Sequence, residues 1–208
     1  MAAAKKKDGV EQQTIKISEL NIETVGVRIV GLSPLITHKW AAKSILQMES
    51  RQQGGEGTKI REVRNPEDEF EAAKYYFADG KTLGFPLTSI KNAIVAVAHV
   101  DTGVPRTIVR RGLFIHADDG ILVKLDIPSE PKMRTDMVRI GRGTSDLRYR
   151  PEHVDWAIDL VIDYDTALLN PTTIFNLIER AGFGIGIGEW RPEKDGEMGR
   201  FRIDRGQS

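Results

Sequence analysis

The segment from Val154 to Asp163 has large apolar side chains at every second position. Its apolar positions carry Val154, Trp156, Ile158, Leu160 and Ile162, and aspartate occupies three of the five positions between them. This alternation is typical of a β-strand with one face on a core and the other in solvent. We therefore predict a central strand here, with Trp156 in the core and a largely acidic outer face.

Two amphipathic helices and four further strands are predicted from periodicity and from capping or turn residues. The helices lie at 89–100 and 171–181, and the strands lie at 22–30, 112–116, 121–125 and 200–203. We expect Gly182 to end the second helix in a left-handed C-cap, and an ADDG turn to join 112–116 to 121–125 as a hairpin. Without insertions, the order is strand, helix, strand, strand, helix, strand. This order predicts an α+β ferredoxin-like (RRM-like) fold, in which helices cover one face of an antiparallel sheet.

The stretches between these elements predict a tail and an insertion. Residues 1–14 are polar and carry three consecutive lysines, which favours a flexible basic tail. An insertion at about 37–80 is expected to hold a short helix from Thr37, a polar loop at 51–59 and a helix that begins at Asn65 and Pro66 and continues with Phe70, Ala73 and Phe77 on one face. With 208 residues, the chain suits one substantial domain better than two.

Composition excludes several classes of site. Lys and Arg together number 30, as do Asp and Glu, so any surface that attracts a polyanion has to be local. The chain has no cysteine, and its four histidines lack the spacing of a zinc motif. No apolar run is long enough to cross a bilayer, and no secretory signal is visible at the N-terminus, so we expect a cytoplasmic protein without membrane partners.

The most basic stretch lies between Lys132 and Arg150. Six cations and two aspartates give it a local charge of +4, and the cations are Lys132, Arg134, Arg139, Arg142, Arg148 and Arg150. Arginine pairs with phosphate through two parallel hydrogen bonds and stacks on bases. Gly141 and Gly143 mark the tip of a predicted β-hairpin at about 128–152, which we interpret as a nucleic-acid-binding ribbon. The alternative is a solvated hairpin that forms salt bridges within an oligomer.

A second candidate site is the glycine-dense segment that begins at Gly182. Glycine recurs at every second position through Gly184, Gly186 and Gly188, and Trp190 and Arg191 follow. Glycine at alternate positions lets another backbone approach closely, and exposed amides in such a loop can bind phosphate. The alternative is a bulged edge strand, because glycine repeats are unspecific.

Three motifs, in this order along the chain, resemble the RAMP superfamily of CRISPR-type RNA-binding subunits. They are GLSPL at 31–35 after the first strand, a Pro-x-x-Ser-x-Lys pattern formed by Pro86, Ser89 and Lys91, and GIGIGEWRP before MGRFRI. The resemblance implies a single RAMP-like domain at 15–208 in which the Arg-rich hairpin takes the place of a thumb. The combination of RYRP with GIGEWRP also resembles uncharacterised proteins of tailed phages, which implies the host cytoplasm as the compartment.

We therefore expect a non-catalytic protein that binds single-stranded nucleic acid, RNA in preference to single-stranded DNA, and oligomerises along it. The expected contacts are Lys91, the six cations of the hairpin, Gly184, Gly186, Gly188, Trp190 and Arg191, with Trp40 and Phe85 as further stacking candidates. No cofactor or metal is expected. Other effector-complex subunits are possible partners by resemblance. The alternatives are a metal-independent endoribonuclease that uses His38, since processing members of the superfamily carry a histidine after the first strand, and a viral assembly protein that binds no nucleic acid.

Overall fold

The computed structural model describes residues 19–40, 64–98, 102–140 and 143–206, together with residues 46, 49 and 52. Nine strands and four α-helices are assigned in this part of the chain. The strands are β1 (Ile22–Gly31), β2 (Leu35–Ile36), β3 (Gly84–Pro86), β4 (Leu113–Ile115), β5 (Leu122–Lys124), β6 (Lys132–Ile140), β7 (Thr144–His153), β8 (Ala157–Asp165) and β9 (Phe201–Ile203). The helices are α1 (Pro66–Ala72), α2 (Leu87–Ala96), α3 (Arg106–Gly112) and α4 (Pro171–Arg180).

The main sheet has four strands in the order β4-β8-β1-β9, and every neighbouring pair is antiparallel. The ferredoxin-like fold has this strand order, with one helix after the first strand of the motif and one after the third. Here α2 lies between β1 and β4 in the chain, and α4 lies between β8 and β9. The predicted α+β ferredoxin-like fold is therefore confirmed, and β8 is a central strand as expected.

The core lies between the main sheet and helices α2 and α4. Ile158, Leu160 and Ile162 alternate along β8 and are fully buried beside Ile90 of α2 and Ile174 of α4. Trp156 is 1% exposed, and its indole Nε1 donates a 2.9 Å hydrogen bond to the carbonyl of Ser33. The predicted place of Trp156 in the core is confirmed. The strand itself begins one residue later, after Asp155 adopts a positive φ of 54°.

Two smaller sheets form outside the main sheet. One has the order β2-β7-β6 and contains the Arg-rich hairpin, and the other pairs β3 with β5. The predicted hairpin between 112–116 and 121–125 is wrong, because β4 pairs with β8 whereas β5 pairs with β3. The turn between them does form, since the amide of Asp118 donates to the carbonyl of Leu122 at 2.8 Å.

Three helix predictions need correction. Thr37 to Trp40 are not helical, and most of the rest of that predicted helix lies outside the described residues. Helix α1 begins as expected, with the side chain of Asn65 accepting from the amide of Glu67, but it ends at Ala72. Gly182 is not a left-handed C-cap, because a π-helical turn continues from Ala181 to Ile185 and the positive φ falls at Gly186. Gly182 instead permits close contact with the backbone of Phe201.

Candidate nucleic-acid interface

The Arg-rich hairpin β6–β7 has two chemically different faces. Residues directly opposite each other in an antiparallel pair point to the same side of the sheet, so the register assigns every described side chain to a face. The inner face carries Lys132, Arg134, Asp136, Val138, Asp146, Arg148, Arg150 and Glu152. The outer face carries Met133, Thr135, Met137, Arg139, Ser145, Leu147, Tyr149 and Pro151.

Asp136 is the centre of the inner face. Its side chain is 6% exposed and accepts hydrogen bonds from Arg134 at 2.7 Å, from Arg150 at 3.5 Å and from the indole of Trp190 at 3.3 Å. Arg150 is equally buried and also lies 3.7 Å from Glu189. Arg150 and Trp190, both predicted ligand contacts, therefore form part of an internal network in this structure.

Most other cations of the inner face are paired as well. Arg134 also contacts Glu152 at 3.3 Å, and Arg148 contacts Asp146 at 2.9 Å. Arg64 forms further ion pairs with Asp146 and with Glu69, and these hydrogen-bonded carboxylates raise the pKa of Arg64. Adding the charges of Glu152 and Glu189 to the +4 of segment 132–150 leaves +2. The inner face is thus a structural ion-pair network within one chain, whereas the alternative drawn from the sequence was a solvated hairpin with salt bridges within an oligomer.

The outer face is exposed and largely apolar. Met137 is 71% exposed, and Met133 and Leu147 are also more than one-third exposed, while Tyr149 is half-buried. Arg139 lies on the same face near the tip, is exposed, and has no ion pair with any residue that the structure describes.

Arg142 lies outside the described residues, so its predicted role stays a prediction. The sequence analysis missed Leu147 and Tyr149, although their alternation with Arg148 and Arg150 was a usable signal.

The glycine-dense segment is held by its own backbone. The amides of Gly186, Ile187 and Glu189 donate to the carbonyls of Ala181, Gly199 and Ile36 at 2.8–2.9 Å. These three donors are therefore engaged within the protein and are not free to bind a phosphate. Gly188 has a φ of +78°, and a Cβ there would lie 2.5 Å from the carbonyl oxygen of Ile36. Gly184 has open space at the same position, so a close backbone approach explains Gly188 but not Gly184.

A pocket of about 190 Å³ lies between this segment, the start of α2 and the loop after β2. It is lined among others by His38, Tyr75, Pro86, Ser89, Asn92 and Glu189. Pro86 and Ser89 of the Pro-x-x-Ser-x-Lys pattern thus meet Gly186 and Gly188, as well as the histidine after the first strand. Three separate sequence signals therefore converge on one cavity. Tyr75, Asn92 and Glu189 were not predicted as part of it.

His38 brings a neutral imidazole to this pocket. Burial lowers the pKa of His38, and the nearby positive charge of Arg150 lowers it further. Its Nδ1 atom is buried and has no hydrogen-bond partner among the described residues. Because Nδ1 is buried, a ligand in the pocket can reach only the other ring nitrogen, Nε2, which in a neutral imidazole is able to accept a proton or a hydrogen bond when Nδ1 carries the hydrogen.

The remaining predicted residues are distributed around the molecule. The Nζ atom of Lys91 lies 4.0 Å from the centroid of the Phe114 ring, and burial lowers the pKa of Lys91. Lys91 therefore lies at the β4 edge of the main sheet and does not line the pocket of Ser89. Phe85 is buried in the core and is unavailable for stacking, which corrects its predicted role.

Lys132 and Trp40 are exposed, whereas Arg191 is engaged within the glycine-dense segment. The guanidinium of Arg191 donates to the carbonyl of Gly188 at 2.9 Å and pairs with Glu193 at 2.7 Å. Within the described ranges, no helix is long and apolar enough to cross a membrane, and no cluster of three acidic or histidine side chains is arranged to hold a metal ion.

Comparison with known proteins finds similar solved structures but no matching family. No protein-family profile matches the chain, and no curated protein sequence is significantly similar to it. The chain is similar to the crystal structure of Cmr6 from Pyrococcus furiosus, with a TM-score of 0.45 and 9% sequence identity. The similarity covers 89% of this chain and 100% of that chain. A likeness at this level carries no functional argument.

Proposed function

We propose that this protein binds single-stranded nucleic acid, RNA in preference to DNA, through the outer face of hairpin β6–β7 and without cleaving it. The supporting observation is the combination on one exposed face of Met133, Met137, Leu147 and Tyr149 with Arg139, a cation that has no ion pair among the described residues. Single-stranded nucleic acid offers the complementary chemistry, because its bases stack on apolar and aromatic side chains while its phosphates pair with arginine.

The ion pairs of the inner face reduce the number of arginines that are free to bind a phosphate. Arg134, Arg148 and Arg150 are held by carboxylates, so a phosphate has to compete with an existing ion pair at each of them. Arg139 and Lys132 have no such competitor among the described side chains. We therefore assign the main phosphate contact to Arg139, because Lys132 lies on the inner face.

We also propose a distant relationship to the RAMP superfamily and oligomerisation along the ligand. The support is the meeting of Pro86, Ser89, Gly186 and Gly188 around one pocket, since these residues come from two of the three motifs that carry the resemblance. A tailed-phage origin and partnership with other effector subunits rest on the resemblance alone.

The direct test is a binding titration with a fluorescently labelled single-stranded RNA at several salt concentrations. The Arg139→Ala variant should bind more weakly, and the slope of log affinity against log salt should flatten by about 0.7, the value for one lost phosphate contact on a single strand. Arg202→Ala is the matched control, because Arg202 is exposed on β9, outside the hairpin. The same titration with DNA of the same sequence tests the preference for RNA.

Two outcomes would contradict the proposal. If wild-type protein shows no salt-dependent binding to either RNA or DNA, the alternative of an assembly protein without a nucleic-acid ligand is favoured. If Arg139→Ala and Arg202→Ala weaken binding equally, the ligand lies elsewhere on the surface. Both variants are expected to unfold at the wild-type temperature, since each replaces an exposed side chain.

The pocket of His38 favours a second candidate function, metal-independent cleavage of RNA. The neutral imidazole of His38 is suited to act as a general base toward a ribose 2′-hydroxyl, and Ser89 and Asn92 are polar side chains in the same pocket. A cleavage assay in EDTA with wild type and His38→Ala separates the two functions. The binding proposal predicts intact RNA in both samples, whereas cleavage by wild type that His38→Ala abolishes would establish an endoribonuclease.

A further inference from the structure

Strand β6 has an unpaired edge. It is the outer strand of the sheet β2-β7-β6, and no other strand in the described part of the chain pairs with it along Lys132–Ile140. Half of the backbone N–H and C=O groups of such a strand point away from its partner and are available to a further strand. A nine-residue edge is long for a protein that does not use it, because an exposed edge invites pairing with another chain.

The sequence of β6 is self-complementary about Thr135. A two-fold axis that is normal to the sheet and lies midway between the two copies of Thr135 would pair β6 with β6 of a second copy in antiparallel orientation. In this register Thr135 lies opposite itself, each Met133 lies opposite Met137 of the other copy, and each Arg134 lies opposite Asp136 of the other copy. Cross-strand pairs of opposite charge, of apolar side chains and of two threonines each stabilise a sheet.

The charged pairs select this register over its neighbours. An axis at residue 134 would place Arg134 opposite Arg134 of the second copy, and an axis at residue 136 would place Asp136 opposite Asp136. Like charges directly opposite each other destabilise a sheet. With the axis at Thr135, the two arginines and two carboxylates form a neutral quartet. Arg134 and Asp136 are already joined at 2.7 Å within one copy, so the quartet extends an existing ion pair.

We propose that a second copy of this chain docks on the free edge of β6, forming a two-fold dimer with a continuous sheet in the order β7-β6-β6-β7. An axis normal to the sheet keeps the outer faces of both hairpins on the same side. The dimer therefore doubles the exposed apolar surface formed by Met133, Met137, Leu147 and Tyr149. The dimer is argued from the edge and its side chains alone, and it does not require the proposed nucleic-acid binding.

The absence of cysteine from the chain allows a direct test by cross-linking. In the Thr135→Cys variant, the two introduced thiols face each other across the axis, at a Cβ separation of about 4.5–5.5 Å that is close to disulfide range. Nuclease-treated, nucleic-acid-free Thr135→Cys should form a disulfide-linked dimer under mild oxidation. Thr172→Cys is the matched control, because Thr172 is exposed on α4 and should cross-link only at the rate of random collision. Equal rates for the two variants would overturn the proposal.

A charge exchange tests the register without a covalent bond. In Met133→Glu/Met137→Glu each carboxylate meets a carboxylate of the second copy, so dimerisation measured by sedimentation should weaken at least about tenfold. In Met133→Lys/Met137→Glu each ammonium meets a carboxylate instead, and dimerisation should return to within about threefold of wild type. Both side chains are exposed, so the fold of the monomer should survive. Monomeric wild-type protein, or equal weakening of both variants, would overturn the dimer while leaving the Arg139 test of RNA binding unaffected.

Discussion

The indole Nε1 of Trp190 donates a 3.3 Å hydrogen bond to Oδ2 of Asp136, which joins the glycine-dense segment to the Arg-rich hairpin. Arg150 of the hairpin and Glu189, the residue before Trp190, form a second link at 3.7 Å. Trp190 itself needs a positive φ of 54°, an unusual conformation for a large side chain. The two segments that appeared in the sequence as separate binding elements are therefore one structural unit, centred on Asp136.

Removing the charge of Asp136 should destabilise the protein strongly. Trp190 and Arg150 both donate to Oδ2 of Asp136, so Asp136→Asn can keep an oxygen that accepts from both. The substitution removes the negative charge beside the buried guanidinium of Arg150, and among the described carboxylates only Glu189, at 3.7 Å, then remains near it. Breaking one partner of a buried ion pair costs about 3–5 kcal/mol. We expect a loss of that size in the free energy of unfolding, measured by urea denaturation. Glu197→Gln is the control, because its exposed carboxylate lies 3.8 Å from Arg200 and should contribute less than about 1 kcal/mol. Equal losses in the two variants would contradict the central role of Asp136.

Alanine substitutions should separate the glycines that the backbone requires from those it does not. Gly188→Ala combines a φ of +78° with a Cβ only 2.5 Å from the carbonyl of Ile36, so we expect a loss of about 2 kcal/mol or more in the free energy of unfolding. Gly184→Ala meets open space and should change stability by less than about 1 kcal/mol. Thermal denaturation of both variants checks the contrast, and similar melting temperatures would refute it.

Tyr149 should contribute to RNA affinity without affecting its salt dependence. A base that stacks on an aromatic ring gains about 1–3 kcal/mol, and this interaction releases no counterions. Tyr149→Ala should therefore weaken RNA binding by about fivefold or more while the slope against log salt stays at the wild-type value. Tyr76→Ala serves as the control, since Tyr76 is a partly exposed tyrosine outside the hairpin. A flattened slope in Tyr149→Ala would instead indicate that the hairpin had been disturbed.

The sequence predicted the core of the fold because burial has a local period. The alternation around Ile158 and Leu160 and the apolar stripe through Ile90 and Ile94 identify buried faces without knowledge of the partner strand or helix. The pairing of β4 was mispredicted for the opposite reason. A good turn at 117–120 favoured a hairpin, but the partner of Leu113 in the sheet is Tyr164, about 50 residues away. Nothing local in the sequence specifies that contact.

The site was predicted less well than the fold. The hairpin was located correctly as a segment, yet charge counting could not show that Glu152 and Glu189 neutralise two of the predicted contacts. The ion pair of Arg134 with Glu152 depends on the register of β6 and β7. The ion pair of Arg150 with Glu189 depends on the glycine-dense segment, which lies in a later part of the chain. The distinction between the inner and outer faces follows from the register alone. It moves the proposed interface from the buried Arg150 to the exposed Arg139.

His153 is a buried histidine that should make stability depend on pH. It is 2% exposed, and burial, assisted by the positive charge of Lys74, lowers its pKa to about 4. Its Nε2 lies 3.3 Å from the hydroxyl of Thr37, while its Nδ1 has no partner among the described residues. In the unfolded chain a histidine titrates near pH 6.5. The folded protein therefore resists protonation that the unfolded chain accepts.

This difference predicts a loss of stability in mild acid. The contribution of His153 is fully present above pH 6.5 and is lost progressively as the pH falls toward 4, by up to about 3 kcal/mol.

His153→Gln removes the titrating group, so its free energy of unfolding should be lower than that of wild type at pH 7 but should fall less steeply between pH 6.5 and 4.5. Thr172→Ala, at an exposed position without a titratable group, should keep the wild-type slope. The pKa of His38 is lowered as well, but His38 is present in all three proteins and its contribution cancels in the comparison. Urea denaturation at several pH values gives the three slopes, and parallel curves for wild type and His153→Gln would show that His153 is not responsible.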